Sequence, residues 1–290
     1  MKISALLLAF LLLLLAPASH AQNSARPETG FLKRTVTVGA RTYGYRVYVP
    51  ENYKPGKTYP VVLYLHGVGS WGQDNEQQLS GLGSVIQLYD NKLPALTQFL
   101  AVFPQEPKPE FWFGDGAAQA IKALDQTVAE FNADPARLYL TCHSMGGYGT
   151  WYLAAKYPGK FAAAAPLAGG VVVPGWFDQA FPSAMLTAYK AQPLSSYTAV
   201  AKAVGSTPIW VFHGAQDTED VPVTESRQMV AALKAAGHPA QYTEYPAEGH
   251  FIADRVYPDP AFWQWLLAQK LSAPAVPATA GGKATKAKAK

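Results

Sequence analysis

The chain has a single cysteine, Cys142, among its 290 residues. One thiol cannot form an internal disulfide, and it cannot supply the thiolate set of a structural zinc site. The sequence has no H-E-x-x-H motif and its six histidines are scattered, so we expect neither a metal nor another cofactor. Stability must then come from a hydrophobic core, which a chain of this length can build.

An excess of one charge is also missing from the body of the chain. The formal net charge is +4, but Lys2 and four lysines near the C-terminus supply five of the 24 basic residues. The remaining basic residues are balanced by 20 acidic ones and form no basic run. Because a nucleic-acid-binding surface needs clustered basic side chains, we do not expect nucleic acid as a partner.

The two ends of the chain differ from the part between them. Residues 1–21 combine Lys2, the apolar stretch ALLLAFLLLLLA and a Ser-His-Ala site, which predicts a signal peptide cleaved after Ala21 and a secreted or periplasmic protein. An uncleaved anchor helix is the alternative, although the stretch is shorter than the ~20 residues of a membrane span. Residues 272–290, rich in Ala, Pro, Gly and Lys, predict a disordered basic tail, with weak adhesion to anionic surfaces as the alternative.

Between residues 22 and 271 the pattern alternates between strands and helices. The segment KRTVTVGARTYGYRVYVP alternates with a period of two and predicts a hairpin that turns at residues 39–41. Five later segments are short apolar runs, typical of parallel strands buried on both faces: YPVVLYLHG, LTQFLAVFPQ, RLYLTCH, FAAAAPLAGG and PIWVFHG. Helical patterns lie between them, so we predict one α/β domain, with helices on both sides of a mostly parallel central sheet.

Residues 172–207 interrupt this alternation. Connections in such folds usually have about 2–6 residues, whereas this segment is much longer and rich in aromatic side chains. It predicts either a lid-like insertion near the site or helices that pack on the body with their aromatic side chains in the core.

The segment RLYLTCHSMGGYGTW places Ser144 between a predicted strand and a predicted helix. A sharp turn of this kind exposes the serine hydroxyl and directs the N–H of the next residue, Met145, toward developing negative charge. The motif G-x-S-x-G of such nucleophile elbows has small residues on both sides; Gly146 fits, and Cys142 replaces the first glycine. Cys142 could itself be a nucleophile, but a buried cysteine behaves as a small hydrophobic residue, so we predict a structural role.

A serine nucleophile requires a base and an acid that orients the base. Asp217 follows the predicted strand PIWVFHG, and His250 follows the last predicted strand, in YPAEGHF. Both therefore lie at the same sheet edge as Ser144, in the chain order that accompanies this type of elbow. Glu219 and Asp220 are alternative acids, and Asp217 is preferred because it comes first after the strand.

The turn in LHGVGSWGQDN, after the first buried strand, predicts a second backbone donor. The N–H of Val68 would form an oxyanion hole together with that of Met145, and a plain glycine turn is the alternative. Three tryptophans, Trp71, Trp112 and Trp176, are candidate substrate-binding residues. Packing roles are equally open for the first two.

Three further histidines have less specific interpretations. His143 is expected to pack beside the elbow, and His213 to bond backbone groups at the end of its strand. His238 lies in a predicted turn at a helix end.

Together these motifs resemble the secreted α/β-hydrolase esterases of the feruloyl esterase and polyhydroxybutyrate depolymerase group, which are similar to the catalytic domain of prolyl oligopeptidases. The resemblance covers about residues 30–270 apart from the insertion. It is carried by YGYRVYVPENY, YPVVLYLHGVGSWGQDN, DPARLYLTCHSMGGYGTWYLAAKYPGKFAAAAPLAGG, PIWVFHGAQDTEDVPVTESRQMVAALKAAG and YTEYPAEGH. It implies Ser144 as nucleophile, Asp217 as acid, His250 as base, and Val68 and Met145 as oxyanion donors.

The resemblance implies an exported serine hydrolase that cleaves carboxylic esters through an acyl-enzyme. Its substrate would be a small or polymeric ester, such as feruloyl or acetyl esters of polysaccharides or a polyester, without stable insertion in a membrane. A peptidase of the prolyl oligopeptidase type is one alternative, although no acidic pair for a substrate amino terminus is apparent. A non-catalytic binding module is the other, although all three triad residue types are present.

Overall fold

The computed structural model describes residues 28–79, 94–173, 175 and 177–272. The predicted signal peptide, residues 273–290 of the predicted tail and Trp176 lie outside these residues. Within them, no helix combines the length and the apolar composition that a membrane span requires.

The described chain opens with an antiparallel hairpin. Strand β1 (Gly30–Val38) pairs with β2 (Arg41–Val49) along its whole length, with Val38 opposite Arg41. Gly39 in the turn has a φ of 57°, in the left-handed region that glycine adopts without a steric penalty. The alternating pattern of the sequence thus corresponds to the observed hairpin.

The remaining strands form the parallel part of the sheet. They are β3 (Val61–Leu65), β4 (Leu100–Pro104), β5 (Leu138–Cys142), β6 (Ala163–Ala165), β7 (Trp210–Gly214) and β8 (Gln241–Tyr245). Six strands have the order β1-β2-β4-β3-β5-β6, and parallel bridges from Ala164 to Ile209 and from Leu167 to Phe212 connect this sheet to the β7-β8 pair. All residues of β3, β4 and β5 are buried, which confirms the prediction of a mostly parallel central sheet covered on both faces.

Helices cover both faces of this sheet. They are α1 (Asp115–Glu130), α2 (Met145–Lys156), α3 (Phe177–Ala180), α4 (Ser183–Ala191), α5 (Tyr197–Ala203), α6 (Thr224–Ala235), α7 (Ala253–Val256) and α8 (Pro260–Ala268), with 3-10 turns at Val68–Ser70, Gln77–Leu79 and Pro94–Thr97. Alternate residues of β3 belong to different cores: Leu63 packs in the core that contains α1, α2 and α6, and Tyr64 in the core that contains α7 and α8. The helices thus hold the strand ends, and the loops that follow them, at fixed positions.

The described part of the insertion packs on the body of the domain. The ring of Phe111 lies 5.3–5.6 Å from the rings of Phe177, Phe181 and Tyr189, and all four side chains are buried. Such edge-to-face contacts are favourable beyond the burial of apolar area. Phe177, Phe181 and Tyr189 of the insertion therefore lie in the core, as in the second of the two arrangements expected from the sequence.

Candidate active site

Ser144 lies in a strained turn between β5 and α2. Its φ of 58° and ψ of −120° are rare for a residue with a side chain, and such conformations cost about 1–3 kcal/mol. The Ser144 N–H donates to the Leu167 carbonyl at 3.1 Å, which ties the turn to the loop after β6. The turn aims the hydroxyl away from the sheet at the carboxyl end of β5.

The close approach of α2 to the sheet explains why Gly146, two residues after the serine, is a glycine. A Cβ atom on Gly146 would lie 2.0 Å from the Leu65 carbonyl oxygen, so any side chain at this position would clash. Cys142, in contrast, points into the core, where its Sγ accepts the Leu167 N–H at 3.4 Å. Burial raises the pKa of the Cys142 thiol to about 12, so the thiolate is disfavoured at neutral pH.

Ser144, His250 and Asp217 form one chain of hydrogen bonds. His250 Nε2 lies 2.8 Å from Ser144 Oγ, and His250 Nδ1 lies 2.6 Å from Asp217 Oδ2. Because an ionised carboxylate only accepts, Nδ1 carries the proton, and Nε2 of the neutral ring is free to accept the serine proton. All three residues are at most 9% exposed, so the hydrogen bonds are shielded from water.

Asp217 is ionised in this arrangement. Burial alone would raise the pKa of its carboxyl group, but hydrogen bonds from His213 and His250 outweigh burial and lower the pKa to about 2. Oδ1 also accepts the Val221 N–H at 3.2 Å. The alternative acids Glu219 and Asp220 are exposed, whereas Asp217 bonds to His250 directly.

Potential ligand atoms of Asp217, Asp220 and His250 lie within 4.8 Å of one another. Both nitrogens of His250 and both carboxylate oxygens of Asp217 already take part in hydrogen bonds. A cation here would have to break the chain to Ser144, so the three residues do not fit a metal site.

The turn after β3 lies directly beside Ser144. A Cβ atom on Gly67 would lie 3.1 Å from Ser144 Cβ, so the turn that leads to Val68 borders the hydroxyl. Met145 is the first residue of α2, and the first N–H groups of a helix have no partner within it. Both predicted oxyanion donors thus belong to segments that border the serine.

His66 fixes the Gly67 turn from the side of the core. Its Nε2 accepts the backbone N–H of Glu106 at 2.9 Å, so Nδ1 carries the ring proton and donates to the Gly67 carbonyl at 2.8 Å. Burial lowers the pKa of His66 to about 4, which keeps the ring neutral. Trp112 Nε1–H donates to the His66 carbonyl at 2.9 Å, and its side chain is fully buried.

The three candidate tryptophans therefore differ. Trp112 supports the turn after β3 and is fully buried, which favours the packing interpretation. Trp71 is partly buried, donates from Nε1 to the Glu110 carbonyl, and contacts the ring of Phe181 edge-on at 5.3 Å. Trp176 lies outside the described residues.

His143 packs beside the elbow, as expected, but its contacts with His250 and Phe251 were not anticipated. His143 Nε2–H donates to the His250 carbonyl at 3.0 Å, and burial lowers the pKa of His143 to about 4. Phe251 stacks on the His143 ring at 5.7 Å and is 57% exposed. The loop that carries the base is thus fixed from the elbow side, and an apolar side chain is left at the surface next to it. His143 precedes Ser144 and Phe251 follows His250 in the sequence, and this adjacency could have predicted that both lie near the site.

His213 also contacts the site. It was expected to bond backbone groups, and its Nε2 does lie 2.9 Å from the Val221 carbonyl. The same nitrogen lies 3.1 Å from Asp217 Oδ2, and Nδ1 lies 2.7 Å from Ser226 Oγ. His238 bonds the Thr207 carbonyl, in the connection that leads into β7, at 2.9 Å.

Residues 112–269, more than half of the chain, match the prolyl oligopeptidase family, and this stretch contains Ser144, Asp217 and His250. The chain belongs to the prolyl oligopeptidase family. A solved structure described as a thermostable esterase superposes with a TM-score of 0.65 at 28% identity, over 83% of this chain and 63% of that one. The family match and the superposition agree with the parallel sheet and elbow described above.

Two curated relatives are similar over shorter parts of their own length. A protein of Arthroderma benhamiae named "Uncharacterized secreted protein" is 28% identical over 212 residues, which are 66% of this chain and 21% of that one. Poly(3-hydroxyalkanoate) depolymerase C of Paucimonas lemoignei is 34% identical over 126 residues, 38% of this chain and 28% of that one. The chain thus spans less than a third of the length of either relative.

Proposed function

We propose that this member of the prolyl oligopeptidase family is an exported serine hydrolase that cleaves carboxylic esters through an acyl-enzyme. The observation that carries the proposal is the unbroken chain of hydrogen bonds from Asp217 through His250 to Ser144, at an elbow whose backbone is strained to present the hydroxyl. In this proposal residues 22–271 are one hydrolase domain, preceded by a signal peptide at residues 1–21 and followed by a tail.

In the proposed reaction Ser144 Oγ attacks the ester carbonyl carbon while His250 Nε2 takes the hydroxyl proton. Negative charge moves to the carbonyl oxygen, and the N–H groups of Val68 and Met145 stabilise it, each contributing ~3 kcal/mol at the transition state. His250 then donates the proton to the departing alcohol. Water attacks the acyl-enzyme by the same steps and releases the carboxylic acid, while ionised Asp217 stabilises the imidazolium.

Two comparisons support an ester as the substrate. The Paucimonas lemoignei relative is named a depolymerase of a polyester, and the superposed structure at 28% identity is described as an esterase. The exposed Phe251 next to His250 would suit an ester with an apolar part. Feruloyl or acetyl esters of polysaccharides and polyesters remain the proposed substrate classes.

Peptide hydrolysis is the second candidate, because the family is named for oligopeptidases. Acyl transfer to Ser144 uses the same machinery for an amide, so the triad geometry does not distinguish the two substrates. They differ in the leaving group, an alcohol in one case and an amine in the other.

A paired substrate panel tests the proposal. The purified protein is assayed on p-nitrophenyl acyl esters of increasing chain length and on peptide p-nitroanilides, together with Ser144→Ala and the control Cys142→Ala. We expect ester turnover that is lost in Ser144→Ala and kept in Cys142→Ala. Undiminished turnover by folded Ser144→Ala would contradict the proposal, and activity on anilides alone would favour the peptidase.

A further inference from the structure

His213 is a buried histidine that the mechanism above does not use. It lies in β7, four residues before Asp217, and its side chain is fully buried. Its Nε2 lies 3.1 Å from Asp217 Oδ2 and 2.9 Å from the Val221 carbonyl oxygen. Both of these oxygens can only accept, so Nε2 must carry a proton.

Asp217 Oδ2 thus receives two imidazole N–H groups, one from His250 at 2.6 Å and one from His213 at 3.1 Å. The remaining oxygen, Oδ1, accepts from the Val221 backbone. Three donors from three different segments therefore fix the carboxylate. Of these three donors, only His250 also contacts Ser144, whose proton its Nε2 takes in the proposed reaction.

The ring of His213 is itself anchored to α6. Nδ1 lies 2.7 Å from Ser226 Oγ, and that oxygen lies 3.5 Å from the Gly169 carbonyl oxygen. Gly169 packs against the helix that begins after the nucleophile, since a Cβ atom on Gly147 would lie 2.4 Å from Gly169 Cα. The chain of contacts from Asp217 through His213 and Ser226 thus ends beside the elbow.

We propose that His213 is a positioning residue of the triad: its Nε2–H holds Asp217 Oδ2 in line with His250 Nδ1, and Ser226 holds the His213 ring. This inference rests on the proposed function, because it concerns the base of the same reaction. Hydrogen bonds to a charged group contribute more than those between neutral groups, so losing this donor should affect the orientation of Asp217 more than the fold.

The bond also affects the charge on Asp217. The titratable groups near the carboxylate are His213 from β7, His250 from the loop after β8, Asp220 from its own loop and Tyr148 from α2, with His143 behind His250. Without the bond from His213, the negative charge of Asp217 interacts with only one histidine, His250. The carboxylate then stabilises the protonated form of His250 more strongly. The acid limb of kcat/KM should then move to higher pH, a change that a loss of packing alone would not produce.

Two substitutions of similar size separate positioning from packing. In His213→Gln the amide reaches the place of Nε2 and can still donate to Asp217, whereas in His213→Asn it reaches only the place of Nδ1, next to Ser226. On a short p-nitrophenyl ester we expect kcat to fall ~10-fold to 100-fold in His213→Asn, with KM little changed, the size expected for a lost bond to a charged group. His213→Gln should keep most of kcat and the wild-type acid limb.

The opposite result would overturn the proposal: a folded His213→Asn with wild-type kcat and pH profile, or equal losses in the two variants. Folding is checked by circular dichroism and thermal unfolding. A measurement on the unmodified protein remains decisive if neither variant folds. Histidine ¹H–¹⁵N spectra should show a proton on His213 Nε2, and an unprotonated Nε2 would overturn the proposal.

The same NMR spectra test the role of His213 independently of any hydrolytic activity. If the wild-type protein hydrolyses no ester or amide, the proposed function fails. In that case the low-field resonance of the His250 Nδ1–H proton still reports the bond to Asp217. This resonance should stay in place in His213→Gln and move in His213→Asn, and an unmoved resonance in folded His213→Asn would count against positioning.

Discussion

Gly67 lies so close to Ser144 that a methyl group added to it would be 3.1 Å from Ser144 Cβ and 3.6 Å from Ser144 Oγ. The two residues come from the turns after β3 and β5, which are neighbouring parallel strands. In the proposed reaction, the ester carbonyl would approach the hydroxyl next to Gly67.

Gly67→Ala should reduce catalysis without unfolding the protein. The added methyl group intrudes beside the oxygen that attacks and displaces the turn that carries Val68, so we expect kcat/KM to fall about 10-fold or more, as when an oxyanion donor is disturbed. Gly69→Ala is the matched control, because a Cβ atom on Gly69 meets nothing within 4 Å. Ester kinetics and thermal unfolding of both variants measure the effect; equal activity of the two would contradict it.

Cys142→Ala should keep its activity. The thiol is fully buried and its pKa is raised to about 12, which disfavours the nucleophilic thiolate, and its replacement should cost only ~1–2 kcal/mol of unfolding free energy. A thiol reagent should modify the native wild-type protein only after denaturant is added. Ser144→Cys is the positive control, since its new thiol would lie next to His250 and should react in the native state. Rapid labelling of native wild type would show that Cys142 is accessible.

The fold prediction succeeded for strands whose amino-acid pattern is determined mainly by burial. Strands such as β3 and β5 are covered on both faces, so they read as apolar runs, and residues that follow such strands share one sheet edge. Ser144, Asp217 and His250 could be brought together on this argument. Trp112 and Trp71 could not be told apart, because a buried tryptophan and a partly buried one have the same local pattern. His213 was missed in part because its partner Ser226 lies on another element.

Acid should destabilise the protein partly through His143. Its folded pKa of about 4 lies below the ordinary value of 6.5, so between these pH values the unfolded chain binds a proton that the folded chain does not. Each such proton lowers the unfolding free energy by ~1.4 kcal/mol per pH unit as the pH falls. His143→Gln should lower the slope of unfolding free energy against pH by the contribution of one proton. Urea unfolding between pH 4 and pH 6.5 measures this slope. An unchanged slope would contradict the assignment.

Glu106 should lower the stability of the protein as the pH rises, the opposite of the effect of His143. Its side chain is fully buried, and burial raises its pKa well above the ordinary value of 4.5. Above that value the unfolded chain releases a proton that the folded chain keeps, so stability decreases as the pH rises. Glu106→Gln should therefore gain on wild type between about pH 5 and pH 7, by at most ~1.4 kcal/mol per pH unit, as long as the folded carboxyl group keeps its proton. Urea unfolding at both values tests this, and a constant difference between the two proteins would refute it.

The Gly67 turn, Ser144, Asp217 and His250 follow four different strands, β3, β5, β7 and β8, of which only β7 and β8 are consecutive in sequence. Contacts between segments so far apart in sequence form late, when the sheet is assembled. Folding should therefore be slower than in proteins whose contacts are mostly local. A partly folded chain would have the serine without its base and would be inert. Appearance of hydrolysis during refolding would thus report the completed sheet, and the chain would acquire its reactivity only once folding is finished.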